Sequence, residues 1–220
     1  MNQLLLINPN TNDTITTKIA AHISQLMDGN IQINQVTARF GSPYISSEAS
    51  YAVASHATLD AWTTYTNQHG DSLPTLIGCF GDPGLFALRE SSLKPVTGLA
   101  EASFLDASRY GDFAVVTGGK AWGPMLNRLA LGLAFKSNLI RIHTVDATGA
   151  DLAADPEAAL ELLSRACDDV LKHYPAKAIV LGGAGLVGYA ELIQSRFQVP
   201  IIDSVSAGAR WALRLVRLDA

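Results

Sequence analysis

At 220 residues, 48% hydrophobic and 16% charged, the chain is too apolar for a disordered segment and long enough to bury one large or two small cores. Sixteen basic side chains against 20 acidic ones leave a formal net charge of −4, which argues against a nucleic-acid binder, whose phosphate contacts need a basic surface. No apolar run approaches the roughly 20 residues of a membrane span, and the N-terminus lacks the basic flank of a signal peptide, so the expected setting is cytoplasmic, away from membranes.

Leu4 to Ile7 reads as a buried strand ending at Asn8-Pro9, and Ile15, Ile19, Ile23 and Leu26 then recur at helical spacing. Ile31 to Val36 alternates like a half-exposed strand, and a long helix is expected over Glu48 to Tyr65. Leu73 to Ile77 predicts a strand stopping at Gly78-Cys79, a helix carries Leu85 and Leu88, and Pro95-Val96 opens another strand before a helix over Ala100 to Ser108. The second half repeats the plan. Phe113 to Val116, Leu139 to Val145, Ala178 to Leu181 and Pro200 to Ile202 read as strands. Helices are expected from Trp122 to Leu133, from Pro156, which suits a first helical turn, to Val170, and from Val205 to Val216. Such alternation predicts an α/β protein with mostly parallel sheets flanked by helices.

Three pairs of segments match in the same order. Ile77 to Gly81 resembles Leu181 to Gly185 at an offset of 104, Pro95 to Gly98 resembles Pro200 to Asp203 at 105, and Leu5 to Asn8 resembles Val115 to Gly118 at 110. We read this as two pseudo-symmetric α/β lobes, residues 1–98 with 204–220 and residues 99–203, facing each other across an active-site cleft. In open α/β sheets, ligands bind beyond the carboxyl ends of the strands.

The chain has two cysteines. Cys79 ends a strand and precedes Gly81-Asp82-Pro83-Gly84, a turn that opens a helix. Unpaired backbone N–H groups and a helix dipole there would favour the thiolate, and the flanking glycines admit a ligand. Cys167 lies beside the apolar face of a helix and reads as core. The five histidines are scattered without metal-ligand spacing.

Asn8 and Asn10, with Thr117 and Gly118 in the matching place, offer amides and a hydroxyl to the polar end of a ligand. The same residues also suit plain capped turns. Phe80, Gly81, Ala184 and Gly185 offer backbone N–H groups to a carboxylate or enolate. Tyr44 adds a hydroxyl, while His56 and Glu101 are assigned no role. Gly183, Gly185 and Gly188 fit G-x-G-x-x-G, with Asp203 twenty residues after Gly183, which keeps a nucleotide-binding alternative open. Too little chain follows for a full dinucleotide domain.

The segments Ile7 to Thr11, Gly78 to Leu85 with Arg89-Glu90, Pro95 to Gly98 with Glu101-Ala102, Val115 to Thr117, Leu181 to Gly185 and Val199 to Asp203 resemble the aspartate/glutamate/hydantoin racemase superfamily, most of all its hydantoin and allantoin racemase branch. The resemblance implies an isomerase with no cofactor and no metal, acting on an amino acid, a hydantoin or a related carboxylate or imide. It implies two cysteines exchanging protons with opposite faces of a carbon α to a carbonyl. The first maps onto Cys79; the position of the second is Gly183. Arylmalonate decarboxylases of this superfamily use a single cysteine at the place of Gly183, so a single-cysteine carbon–carbon lyase is the alternative, with a non-catalytic protein on the same scaffold as a third reading. Association into a homo-oligomer is left open.

Overall fold

Leu4, Leu5, Leu6 and Ile7 are all buried to within 1%, because an inner strand of a parallel sheet is covered on both faces and needs no polar alternation. The computed structural model describes residues 2–27, 29–71 and 73–218. Its first half runs β1 (Asn2–Asn8), α1 (Asp13–Leu26), β2 (Ile31–Thr37), α2 (Glu48–His69), β3 (Thr75–Ile77), α3 (Leu85–Ser91) and β4 (Val96–Gly98), followed by α4 (Leu99–Ser108). The second half runs β5 (Phe113–Gly118), α5 (Trp122–Gly132), β6 (Leu139–Val145), α6 (Gly149–Ala154), α7 (Pro156–His173), β7 (Ala178–Gly182), α8 (Tyr189–Ile193) and β8 (Ile201–Asp203), followed by α9 (Ser204–Leu218).

Local chemistry explains the boundaries. Asn12 caps α1 by accepting from the Ile15 N–H, and Asp155 caps α7 ahead of Pro156 in its first turn. β3 begins after Pro74, later than the apolar run at Leu73 implies, since proline has no N–H for the ladder. Helix α6 was not anticipated; Thr148 and Asp151 close a reciprocal capping box at its start.

Each half forms one four-stranded parallel sheet, ordered β2-β1-β3-β4 and β6-β5-β7-β8. The strand orders are the same, as the internal repeat predicts. The registers correct one detail. Ile77 lies opposite Ile7 and Gly98, whereas Leu181 lies opposite Val116 and Asp203. Equating Ile77 with Leu181 therefore equates Asn8 with Thr117, not with Gly118. A one-residue slip moves a side chain to the other face of a strand, so the offset-110 match misassigned those faces.

The helices after each last strand cross over. α4 follows β4 but packs on β7 and β8, while α9 follows β8 and packs on β1, β3 and β4; the two helices also pack on each other. α4 is buried along nearly its whole length. Gly208 permits the close approach: a Cβ there would stand 2.7 Å from Leu99 Cδ2. Phe104 on α4 meets Phe80, Phe113 and Phe135 at centroid distances of 6.2, 5.6 and 5.9 Å, joining both halves in one apolar cluster. Phe104→Ala should cost about 3–5 kcal/mol in urea denaturation; a loss under about 1 kcal/mol would mean that this junction is not a core.

Candidate active site

The carboxyl ends of β1, β3, β5 and β7 open onto a cavity of about 100 Å³ between the two sheets. That is well below the roughly 300 Å³ at which drug-sized ligand pockets begin. It has room for one small molecule. Cys79, Phe80, Asn10 and Tyr44 line it from the first half, and Thr117, Gly118, Gly183, Ala184 and Gly185 from the second. Asn8 and Gly81 do not line it.

Asn8 is fully buried. Its Nδ2 donates to Asn10 Oδ1 (3.0 Å) and Thr16 Oγ1 (2.9 Å), and its Oδ1 accepts from the Asn10 N–H at 3.2 Å. The asparagine expected to bind substrate therefore builds the turn instead. Asn10 Oδ1 also accepts from the Asn12 N–H, which leaves the Asn10 Nδ2 as the donor on the cavity. Thr117 Oγ1 donates to the Gly182 carbonyl at 2.7 Å, bridging β5 and β7, and offers the cavity an acceptor only. Gly81 serves packing. Its carbonyl accepts from Tyr51 Oη at 2.8 Å, and a Cβ on it would come within 2.3 Å of the Trp122 ring.

The thiol is in a different electrical setting from the one its sequence neighbours imply. Cys79 is 7% exposed and packs with Ile45, Ala54, Tyr51 and Trp122. Burial holds its pKa well above the usual thiol range, and the nearby Asp82 charge adds to the rise. The Gly81 N–H of the loop and two N–H groups at the start of α4 serve another acid. Gly81, Ala100 and Glu101 all direct their N–H groups at the Asp82 carboxylate. Burial also pushes the Cys167 thiol, packed between α7 and the second sheet, up to about 12.

The opposite wall is built largely from backbone and apolar side chains, with the Thr117 and Thr148 hydroxyls beside them. Gly183 follows Leu181 as Cys79 follows Ile77, so the internal symmetry alone makes it the counterpart of the thiol. Its φ is +153°, and a Cβ there would stand 3.2 Å from Leu186 Cγ. The short 3-10 turn Ala184–Leu186 begins at this point, and its first N–H groups have no partner within the turn. Ile15, Ile45, Trp122, Leu152 and Leu186 also line it, with Ser46, Gly119, Thr148 and Gly182. In the sequence the apolar members look like ordinary core, and Ser46 and Thr148 like plain loop residues. The nucleotide reading loses its acid: Asp203 accepts from the N–H groups of Gly188, Val205 and Ser206 inside the protein.

Compared with known proteins, residues 4–212 match the Asp/Glu/hydantoin racemase profile. The chain belongs to the Asp/Glu/hydantoin racemase family. Hydantoin racemase of Pseudomonas sp. (strain NS671) is 30% identical over 217 residues, covering 98% of this chain and 86% of that protein. Allantoin racemase from Klebsiella pneumoniae superposes with a TM-score of 0.91 at 30% identity, covering 100% of this chain and 89% of that one. A cysteine-exchanged mutant of arylmalonate decarboxylase superposes with a TM-score of 0.73 at 18% identity, covering 100% and 94%, and shares the fold. Among the described residues of this racemase-family chain, no helix is long and apolar enough to cross a membrane, and no His/Cys/Asp/Glu group of three or more could hold a metal ion.

A buried, protonated thiol reacts slowly with alkylating agents. Iodoacetamide should label Cys79 slowly near pH 7 and faster towards pH 9, with Cys167 slower throughout, as read by peptide mass spectrometry. Fast labelling of Cys79 at about pH 6 would instead reveal a resting thiolate.

Proposed function

We propose that this chain moves a proton at a carbon α to a carbonyl in a small amino-acid derivative, a hydantoin-like imide foremost, with Cys79 as its acid–base group and no cofactor taking part. One observation carries the reading: a thiol on one wall of a small cavity stands across from the N–H groups that open the Ala184–Leu186 turn. Those N–H groups suit the oxyanion of an enolate, which forms when the α-proton leaves. The Asn10 amide suits a substrate carbonyl. Similarity to hydantoin and allantoin racemases over nearly the whole chain supports racemisation as the outcome.

With glycine at 183, the second proton has no side-chain donor on that wall. For racemisation Cys79 first gives its proton to water; the thiolate takes the α-proton, the planar enolate rests on the backbone N–H groups, a second water protonates the other face, and the hydroxide left behind takes up the first proton. A second reading is favoured by the same wall. Leu186, Leu152 and Gly183 offer it no proton, the Thr117 and Thr148 hydroxyls donate to the Gly182 carbonyl and the Asp151 carboxylate, and a resting thiol is a proton donor. Loss of carbon dioxide from an α-carboxylated substrate, followed by protonation from Cys79 alone, would then give a product of one hand.

Turnover in D₂O separates these readings. Chiral hydantoins, allantoin, aspartate, glutamate and arylmalonates would be followed together by NMR, optical rotation and gas release. Racemisation exchanges the α-proton for deuterium and removes rotation without gas, whereas the lyase releases gas and yields a single deuterated enantiomer. Cys79→Ser should lower either activity by roughly 10²–10⁴-fold, because a hydroxyl is a far weaker acid than a thiol. No turnover of any substrate would leave the scaffold non-catalytic.

The crowding at residue 183 generates a further expectation. Gly183→Cys alone should racemise no faster than the unsubstituted chain, since its Cβ meets Leu186 and its φ disfavours a side chain. Gly183→Cys with Leu186→Ala should gain a second alkylatable cavity thiol and faster racemisation, provided that circular dichroism shows the pair folded.

A further inference from the structure

The mechanism leaves one buried carboxylate beside Cys79 without a role. Asp82 is 1% exposed and holds φ at +52° without being glycine, a conformation that persists only where its surroundings enforce it. Its N–H donates to the Cys79 carbonyl at 3.2 Å, and its own carbonyl accepts from the Leu85 N–H at 3.1 Å. Its Oδ1 and Oδ2 accept from the Ala100 and Glu101 N–H groups, in the first turn of α4, at 2.9 and 2.8 Å. The reach depends on Gly98: a Cβ there would lie 2.2 Å from Asp82 Cγ.

The second half builds the same link from the other end. Asp203 occupies the sheet position equivalent to Gly98. Its Oδ1 accepts from the Val205 and Ser206 N–H groups in the first turn of α9, and its Oδ2 accepts from the Gly188 N–H at the end of the Gly183 loop. Each half thus has one buried carboxylate tying a cavity wall to a crossing helix. In the first half it comes from the loop, in the second from the strand end. Both could not coexist in one half, because a side chain at residue 98 collides with Asp82.

We propose that Asp82 and Asp203 are reciprocal positioning residues, each fastening one wall of the cavity to the helix that packs on the opposite sheet.

The test needs no substrate, so its failure is distinct from failure of the substrate assignment. Amide hydrogen exchange would be followed in the full chain, in Asp82→Asn and in Asp203→Asn. Asp82→Asn should speed exchange at Ala100 or Glu101, and Asp203→Asn at Gly188, by roughly tenfold or more. Unchanged protection at these amides overturns the proposal. Each substitution should act on its own wall: Asp82→Asn leaves Gly188 protected, and Asp203→Asn leaves Ala100 and Glu101 protected. Loss of protection at all three amides in either variant is general loosening and overturns the reciprocal assignment.

Discussion

Each sheet is parallel and its inner strands are apolar on both faces, so each must be covered twice, and each takes one cover from the opposite half of the chain. α4 leaves the first sheet to lie on β7 and β8, and α9 leaves the second to lie on β1, β3 and β4. Burying an apolar strand face is worth on the order of 25 cal/mol per Å², and neither half recovers that contribution without the other's helix. The exchange presses the sheets together with their carboxyl ends facing one cavity. Phe104, fully buried on α4, sits where the halves meet.

The same exchange links both cavity walls to the crossing helices. The Cys79 loop ends in a carboxylate that holds α4, and the Gly183 loop ends at an N–H held by a carboxylate that also holds α9. A buried carboxylate is tolerated there because backbone N–H groups at a helix start satisfy it. With those donors engaged, the thiol beside them receives burial and a negative neighbour instead of a positive dipole. What results is a buried thiol on one wall and a mostly apolar surface around Gly183, Leu152 and Leu186 on the other.

Much of the architecture was legible in the residues. Continuous apolar strands, glycine at their carboxyl ends and helical spacing between them led to two parallel sheets of the same order, and the motifs around Asn8, Cys79 and Gly183 led to the family. The repeat led to the pairing of Cys79 with Gly183. These features are local in sequence or recur at a fixed spacing, and such signals survive without coordinates. Local capping chemistry was also readable in principle, as Thr148 and Asp151 at the start of α6 show.

Other properties depended on groups distant in the chain. Asn8 looked like a ligand residue, but Thr16 and Asn10 occupy its amide. Cys79 looked like a thiolate, but Asp82 gathers N–H groups from residues 18 and 19 positions further on. Residue 183 looked like a simple vacancy, yet its backbone has settled at φ +153° against Leu186. The sequence by itself determined the strand–helix alternation, the doubled plan and the family, because those follow from periodicity and motif. Only the tertiary structure decided which polar groups remain free for a ligand and that burial raises the Cys79 pKa, because hydrogen-bond saturation and desolvation are set by whichever atoms folding brings within a few ångströms.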